Sequence, residues 1–294
     1  LDTLSFVRDA VVQGLPAAIS LRGGIDSVRR RSQGRPFDVT VKLALTLETG
    51  TARYGFAITG DKLEEYRVKW EGATVVAGDG SSTFERTEDG WSGPPGVSPR
   101  MDPQSLALTV LGGTEQFKPL ADALSGMVVY SVFPDTLRAP QKLDSARPMR
   151  EHGENWVSIL RDLVKDADAK ADLVAALHKL TGDIEDVRVS SAAQHLIAEF
   201  KQRAQKKKGR RWFDSSGQSD GTLRVAGLLT ALLQTPRVPV IGVEEPELTV
   251  HPGALPMLVD YLHQASEVSQ VLVTTHSPIV LDIVDVEKDT VLVV

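Results

Sequence analysis

Cysteine is absent from the 294 residues. Disulfides and thiolate metal sites are thereby excluded, and a reducing cytoplasm is the natural setting for the chain. No apolar run approaches the roughly 18–20 residues that a membrane-spanning helix needs. No secretory signal is visible, and no membrane partner is expected. No heptad pattern is sustained, which excludes a long coiled-coil arm, and there is no internal repeat. Positive charge is not in excess: the formal net charge is −6, so nothing draws the whole chain to nucleic acid or an anionic surface. Aromatic residues make up only 5%, and Trp70, Trp91 and Trp156 read as packing residues rather than a base-stacking platform. The rest is ordinary for a globular protein, with 41% hydrophobic and 24% charged residues, enough for a sizeable core. The length suits one large α/β domain, or one domain with a sub-lobe.

Leu1 to Val12 has the spacing of the later turns of an amphipathic helix. Val39, Val41, Leu43, Leu45 and Leu47 alternate with polar or small residues. Tyr54, Phe56 and Ile58 do so next, followed by Tyr66, Val68 and Trp70, which together predict an antiparallel meander. Residues 88–103 are rich in Gly, Pro and Ser and read as a surface loop. Residues 104–180 read as mainly helical, interrupted by the apolar Met127 to Phe133. Residues 194–213 fit a hairpin with a basic tip, with a helix over 192–205 as the competing reading. The expected organisation is an N-terminal lobe over 1–100, a helical middle over 101–193 and a C-terminal core over 194–294. The chain opens at Leu1 without a methionine and stops inside the apolar run Thr290 to Val294, so both ends are expected to be cuts through a longer protein.

The last third carries the chemistry. Val225, Leu228, Leu229, Leu232 and Leu233 mark an amphipathic helix. Val238 to Val243 and Val271 to Thr275 are short apolar runs on either side of a second helical face, Leu255, Leu258, Val259 and Leu262. Strand, helix and strand at this length predict a parallel βαβ unit. Ligands of parallel sheets bind beyond the carboxyl ends of the strands, and there the sequence places Glu244-Glu245 and Thr274-Thr275-His276. Two adjacent carboxylates suit Mg²⁺ binding and orientation of an attacking water; the alternative is that they cap the next element. Ser219-Asp220-Gly221-Thr222 precedes the first helix. It offers free N–H groups to an anion, or is simply a good N-cap.

In their order and spacing these segments resemble known motifs. Phe213 to Arg224, which ends in Gln218-Ser219-Asp220-Gly221-Thr222-Leu223-Arg224, resembles the LSDGTLR form of an ABC signature. Glu244-Glu245-Pro246-Glu247, followed by His251-Pro252, looks like a Walker B and D-loop. Thr275-His276-Ser277-Pro278 looks like a switch segment. Together they resemble bacterial predicted ATPases of the AAA/ABC type, relatives of RecF, SMC and OLD heads. More loosely, Leu1 to Phe6 resembles the helix after a phosphate loop, and His152 to Trp156 a GxN segment.

The resemblance implies an α/β ABC-type head, truncated at its N-terminus, with a parallel core, an antiparallel lobe and a helical sub-lobe. It implies ATP and Mg²⁺ as cofactors, Glu244 as a metal ligand, Glu245 as the catalytic glutamate and His276 as the switch histidine. Ser219, Asp220, Gly221 and Thr222 would contact ATP held by a second copy of the head, and Leu248, Thr249 and His251 would cross the dimer. A nuclease or other effector protein, in DNA repair or phage defence, would be driven by the cycle. The pattern departs in one respect: no G-x-x-x-x-G-K-[ST] loop occurs in the sequence, and a non-catalytic, nucleotide-gated binding module is the rival reading. Lys206, Lys207, Lys208, Arg210 and Arg211 form a basic run that reads as a solvated tip, with DNA as its alternative partner.

Overall fold

Alternation from Val39 onward gives the expected meander. In the computed structural model, which describes residues 1–29, 38–62, 65–78, 80–97, 99, 102–202 and 211–293, five strands pair antiparallel in sequential order. They are β1 (Val39–Leu47), β2 (Gly50–Lys62), β3 (Glu65–Ala77), β4 (Gly80–Thr87) and the two-residue β5 (Trp91–Ser92). Val41, Tyr54, Phe56 and Ile58 lie buried on one face. The sheet shares a compact unit, Asp2–Met127, with α1 (Asp2–Val12), α2 (Leu15–Leu21), α3 (Ile25–Val28), α4 (Leu108–Leu111) and α5 (Lys118–Ser125). Phe6 of α1 meets Phe56 with ring centroids 6.1 Å apart.

Strand β3 departs from its own alternation. Ala57 pairs with Trp70 and Ile58 with Val68, so Lys69 is the extra residue of a bulge. A bulge reverses which face the following residues take. Trp70, expected on the face of Tyr66 and Val68, therefore lies on the opposite face across Gly55 and Gly72, its indole N–H donating to Glu85 at 2.9 Å. Glu71 takes the core position instead and is fully buried. Within the predicted loop at 88–103, Trp91 and Ser92 form a short strand, Trp91 pairing with Arg86 in the β4–β5 ladder.

The second unit comprises Leu1 and the chain from Val128 onward. Its parallel sheet has the order β12 (Gln270–Thr274), β11 (Val240–Glu244), β6 (Val128–Tyr130). The apolar stretch within the predicted helical region is thus a third parallel strand. A second sheet holds β7 (Gln141–Lys142), β8 (Ile184–Ala192), β9 (His195–Gln202) and β10 (Arg211–Asp214), with β9 pairing all three others antiparallel. The hairpin reading over 194–213 holds. Its tip residues Lys206, Lys207, Lys208 and Arg210 lie outside the described residues; Arg211 opens β10.

Helices α6 (Pro134–Arg138), α7 (Trp156–Leu163), α8 (Ala167–Thr181), α9 (Asp220–Leu233), α10 (Leu255–Ser266) and α11 (Pro278–Ile283) complete this unit. Trp156, Ile159, Leu160 and Leu163 of α7 and Leu173, Leu177 and Leu180 of α8 are buried. Helix α9 is not amphipathic in place: every residue from Leu223 to Leu232 is buried, because α6, α7, α8 and α10 all pack against it. A helix enclosed on all sides must satisfy its polar side chains internally. Thr230 does so by donating to Ala226 O at 2.7 Å and accepting the Trp156 indole N–H at 3.0 Å. Among the described residues, no helix is long and apolar enough to cross a membrane.

Glu71 is a stringent test of the first unit. Its carboxylate accepts from the Tyr54 hydroxyl at 3.0 Å, the Leu108 N–H at 3.0 Å and the Ala107 N–H, and so ties β3 to the start of α4. Burial pushes its pKa up, and these three donors oppose that. A carboxyl with a raised folded-state pKa stabilises fully below its unfolded value and loses that contribution as pH rises through the folded value. Glu71→Gln turns an amide N–H₂ toward one of the donors and should cost about 1–3 kcal/mol. Because glutamine does not titrate, the cost should be larger at about pH 5 than at about pH 8. Urea unfolding at the two pH values measures it. A cost that is constant or grows with pH would mean that the donors outweigh burial.

Candidate functional site

Parallel pairing sets the site. Glu244 at the end of β11 lies opposite Thr274 at the end of β12, and the Glu245 N–H donates to Thr274 O at 3.0 Å. The two strand ends therefore leave the sheet side by side. The sequence expectation is met here: Glu244, Glu245 and the Thr275-His276 segment share one edge. His276 Nε2 stands 3.5 Å from Glu245 Oε1, with the imidazole almost wholly exposed and the carboxylate largely covered. The Glu244 carboxylate has no hydrogen bond or ion pair among the described residues.

The turn after β11 is strained. Glu245 has φ 47° and Thr249 φ 63°, left-handed values that cost non-glycine residues about 1–3 kcal/mol each. Leu248 N donates to Glu245 O and Val250 N to Glu247 O, both at 3.1 Å. Leu248, Thr249 and His251 are exposed, and His251 caps the 3₁₀ turn Pro252–Ala254 through its ring nitrogen. Glu247 faces inward. Its carboxylate accepts from the Thr275 hydroxyl at 2.5 Å, and that hydroxyl accepts from Ser277 N at 3.0 Å. Glu247 Oε2 is buried without a partner among the described residues.

Ser219 is the N-cap of α9: its hydroxyl accepts from Thr222 N at 3.1 Å and lies 2.9 Å from the Thr222 hydroxyl. The capping alternative raised by the sequence is therefore real, and it leaves room for the other reading. The first N–H groups of a helix have no intrahelical partner, and those of Asp220 and Gly221 find none among the described residues. Asp220 is ion-paired with Arg138 of α6, whose guanidinium also donates to Gln218 O at 2.8 Å.

Two residues join this helix to the strained turn. A Cβ on Gly221 would stand 2.4 Å from Thr249 O, so the first turn of α9 touches backbone and only glycine fits. One turn on, Arg224 Nη2 donates to Glu244 O at 3.2 Å and Glu245 O at 3.1 Å. Burial pushes the Arg224 pKa down, and the carboxylates of Glu247 and Glu245 oppose that shift. Sequence reading gave no role to Arg138, Arg224 or Glu247. Arg138 is 82 residues from Asp220 in the chain, and nothing in Pro134 to Arg138 announces the contact. His152, also without a role, stacks on Phe133 with ring centroids 4.4 Å apart and bonds Ser131 O at 2.8 Å, just beyond the end of β6.

Among the described residues no group of three or more His, Cys, Asp or Glu side chains is placed to hold a metal ion. Mg²⁺ in nucleotide sites commonly takes one or two carboxylates and fills its other positions with phosphate oxygens and water. The unpartnered Glu244 carboxylate fits that donor set.

A family model described as "AAA domain, putative AbiEii toxin, Type IV TA system" matches residues 1–282. No curated protein matches. Among solved structures, the chain is similar to an Smc head bound to the C-terminal winged-helix domain of ScpA, with 11% identity over 97% of this chain and 81% of that one and a TM-score of 0.48. It is similar to an SMC head domain from Thermotoga maritima, with 13% identity over 80% and 68% and a TM-score of 0.33. It is also similar to an Smc head with an extended coiled coil from Pyrococcus furiosus, bound to the C-terminal domain of ScpA, with 13% identity over 97% and 82% and a TM-score of 0.47.

The Gly221 contact gives a prediction free of any ligand. Gly221→Ala drives a methyl into the Thr249 carbonyl and should destabilise the protein by about 1–3 kcal/mol. Hydrogen exchange should quicken at Leu248 and Val250, whose amides close the strained turn. Thermal unfolding and exchange mass spectrometry read the two effects. A fully stable variant with an unchanged turn would mean that the contact is loose in solution.

Proposed function

We propose, from the fact that the chain belongs to this AAA domain family, that it is an ABC-type head that binds ATP with Mg²⁺ and hydrolyses it at a head-to-head dimer interface. The observation that carries this reading is the meeting of three separate segments at one sheet edge: Glu244-Glu245, Thr274 to His276, and the first turn of α9 beside the strained turn.

Each residue has a task its surroundings support. Glu245, partly covered and next to His276, orients an attacking water and takes its proton. His276, exposed at the tip of β12, donates to a terminal phosphate. Glu244 would hold Mg²⁺, whose charge neutralises the phosphates when bound. The free N–H groups of Asp220 and Gly221, with the positive end of the α9 dipole, suit a phosphate presented by another molecule. Exposed Leu248, Thr249 and His251 suit contact with a second copy. One head then holds half of two sites, and ATP should drive pairing because it binds the closed dimer better than separated heads.

The family's description, a toxin of a type IV toxin–antitoxin system, favours defence as the setting, with an effector protein as the driven partner. DNA contact through Lys206 to Arg211 belongs to the same proposal and rests on charge alone.

In the full-length protein, Glu245→Gln should lower turnover by about 10²–10⁴-fold and preserve ATP binding. The same variant should become dimeric with ATP and Mg²⁺, and adding Ser219→Arg should block this without unfolding either head. Steady-state hydrolysis and light scattering are the measurements. Unchanged turnover in Glu245→Gln would sink the catalytic assignment. ATP-driven pairing without hydrolysis in the wild type would favour the nucleotide-gated module. A dimer indifferent to ATP and to Ser219→Arg would leave the SDGT segment an ordinary helix cap.

A further inference from the structure

We propose that Arg224 is a positioning residue that couples the first turn of α9 to the catalytic turn, so that a phosphate engaging Asp220 and Gly221 sets the Glu245 carboxylate of the same subunit. This rests on the reading of Glu245 as the water-orienting group.

Glu245 holds a left-handed backbone conformation, which persists only where its surroundings fix it. Three partners do so, through four hydrogen bonds. The Glu245 N–H bond to Thr274 O belongs to the edge of the sheet, and the Leu248 N–H bond to Glu245 O belongs to the turn itself. The third is the Arg224 guanidinium, which holds the carbonyls on both sides of the Glu244–Glu245 peptide junction. It is the one that comes from the helix carrying SDGT.

Arg224 lies four residues after Asp220, about one helical turn, and so on the same side of α9. Gly221 presses on Thr249 O between them. The start of α9 thus grips the turn at both ends, at 244–245 through Arg224 and at 249 through Gly221. Arg224 itself is 9% exposed and walled in, so its head has little freedom to shift alone. The attraction of Glu247 to Arg224, together with the Glu247–Thr275–Ser277 bonds, extends the same linkage to the segment bearing His276. A displacement of the SDGT turn therefore reaches both groups that act on the phosphate. Both bonds come from the one nitrogen Nη2, whose two N–H groups are fixed in the guanidinium plane, whereas the N–H groups of an ammonium rotate freely on a flexible stem.

The test uses Arg224→Lys and Arg224→Met in the full-length protein, with Glu245→Gln in parallel. Misplacing a catalytic group by about 1 Å costs about 10²-fold in rate, so kcat should fall by that order in both variants. KM for ATP should stay within about threefold, as should ATP-driven pairing in the Glu245→Gln background. In the nucleotide-free protein, exchange should quicken at the Glu245, Leu248 and Val250 amides while the later turns of α9 stay protected. A purely structural arginine would instead lower the melting temperature and loosen α9 as a whole, with kcat per folded molecule unchanged. That outcome overturns the proposal, as does loss of kcat and pairing in proportion. If Arg224→Met fails to fold, Arg224→Lys decides. If wild-type protein does not hydrolyse ATP, or Glu245→Gln is fully active, the reading of the preceding subsection fails, and the exchange measurement still decides whether Arg224 holds the turn.

Discussion

The parallel ladder between β11 and β12 is the constraint on which the candidate site depends. It places Glu244 opposite Thr274 and lets the Glu245 N–H reach across to close the end of the sheet. Side chains alternate along a strand, so a slip of one residue would turn Glu244 to the other face and separate Glu245 from His276. Short strands fix such a register weakly by their own bonds. Here β11 is held from both sides, by β12 and by the fully buried β6, and α9 closes on the turn that follows.

Much of this was legible in the sequence because the site is local in sequence. Each of its three segments is contiguous, and each sits where a strand ends or a helix begins. What was not legible arises from long-range packing. Arg224 reads as an ordinary cation on an amphipathic helix, and only enclosure of α9 on all sides turns it inward. Arg138 meets Asp220 across 82 residues of chain. Strand β6 is three residues long, too short to show a period. In the first unit, one extra residue at Lys69 exchanged the places of Trp70 and Glu71, and a bulge has no composition of its own.

Several polar groups that the core admits join elements rather than decorating them. Glu71 joins a strand to the start of a helix, Thr230 joins α9 to α7, and Arg224 joins α9 to the strained turn after β11. Buried groups of this kind add little net stability when paired and cost much when orphaned. Their effect is to exclude alternative packings. Glu247 differs, with one oxygen buried and unpartnered among the described residues, and it sits where the proposed coupling passes from one segment to the next.

Trp156 has a consequence for observation. Its indole is fully buried, stacked near Phe200 and bonded to the hydroxyl of Thr230 in the middle of α9. Trp70 and Trp91 lie in the other unit, and Trp212 lies under the Arg188 guanidinium. The helix that opens with the SDGT turn therefore carries its own fluorophore contact. Emission from Trp156 should follow the seating of that helix without any label.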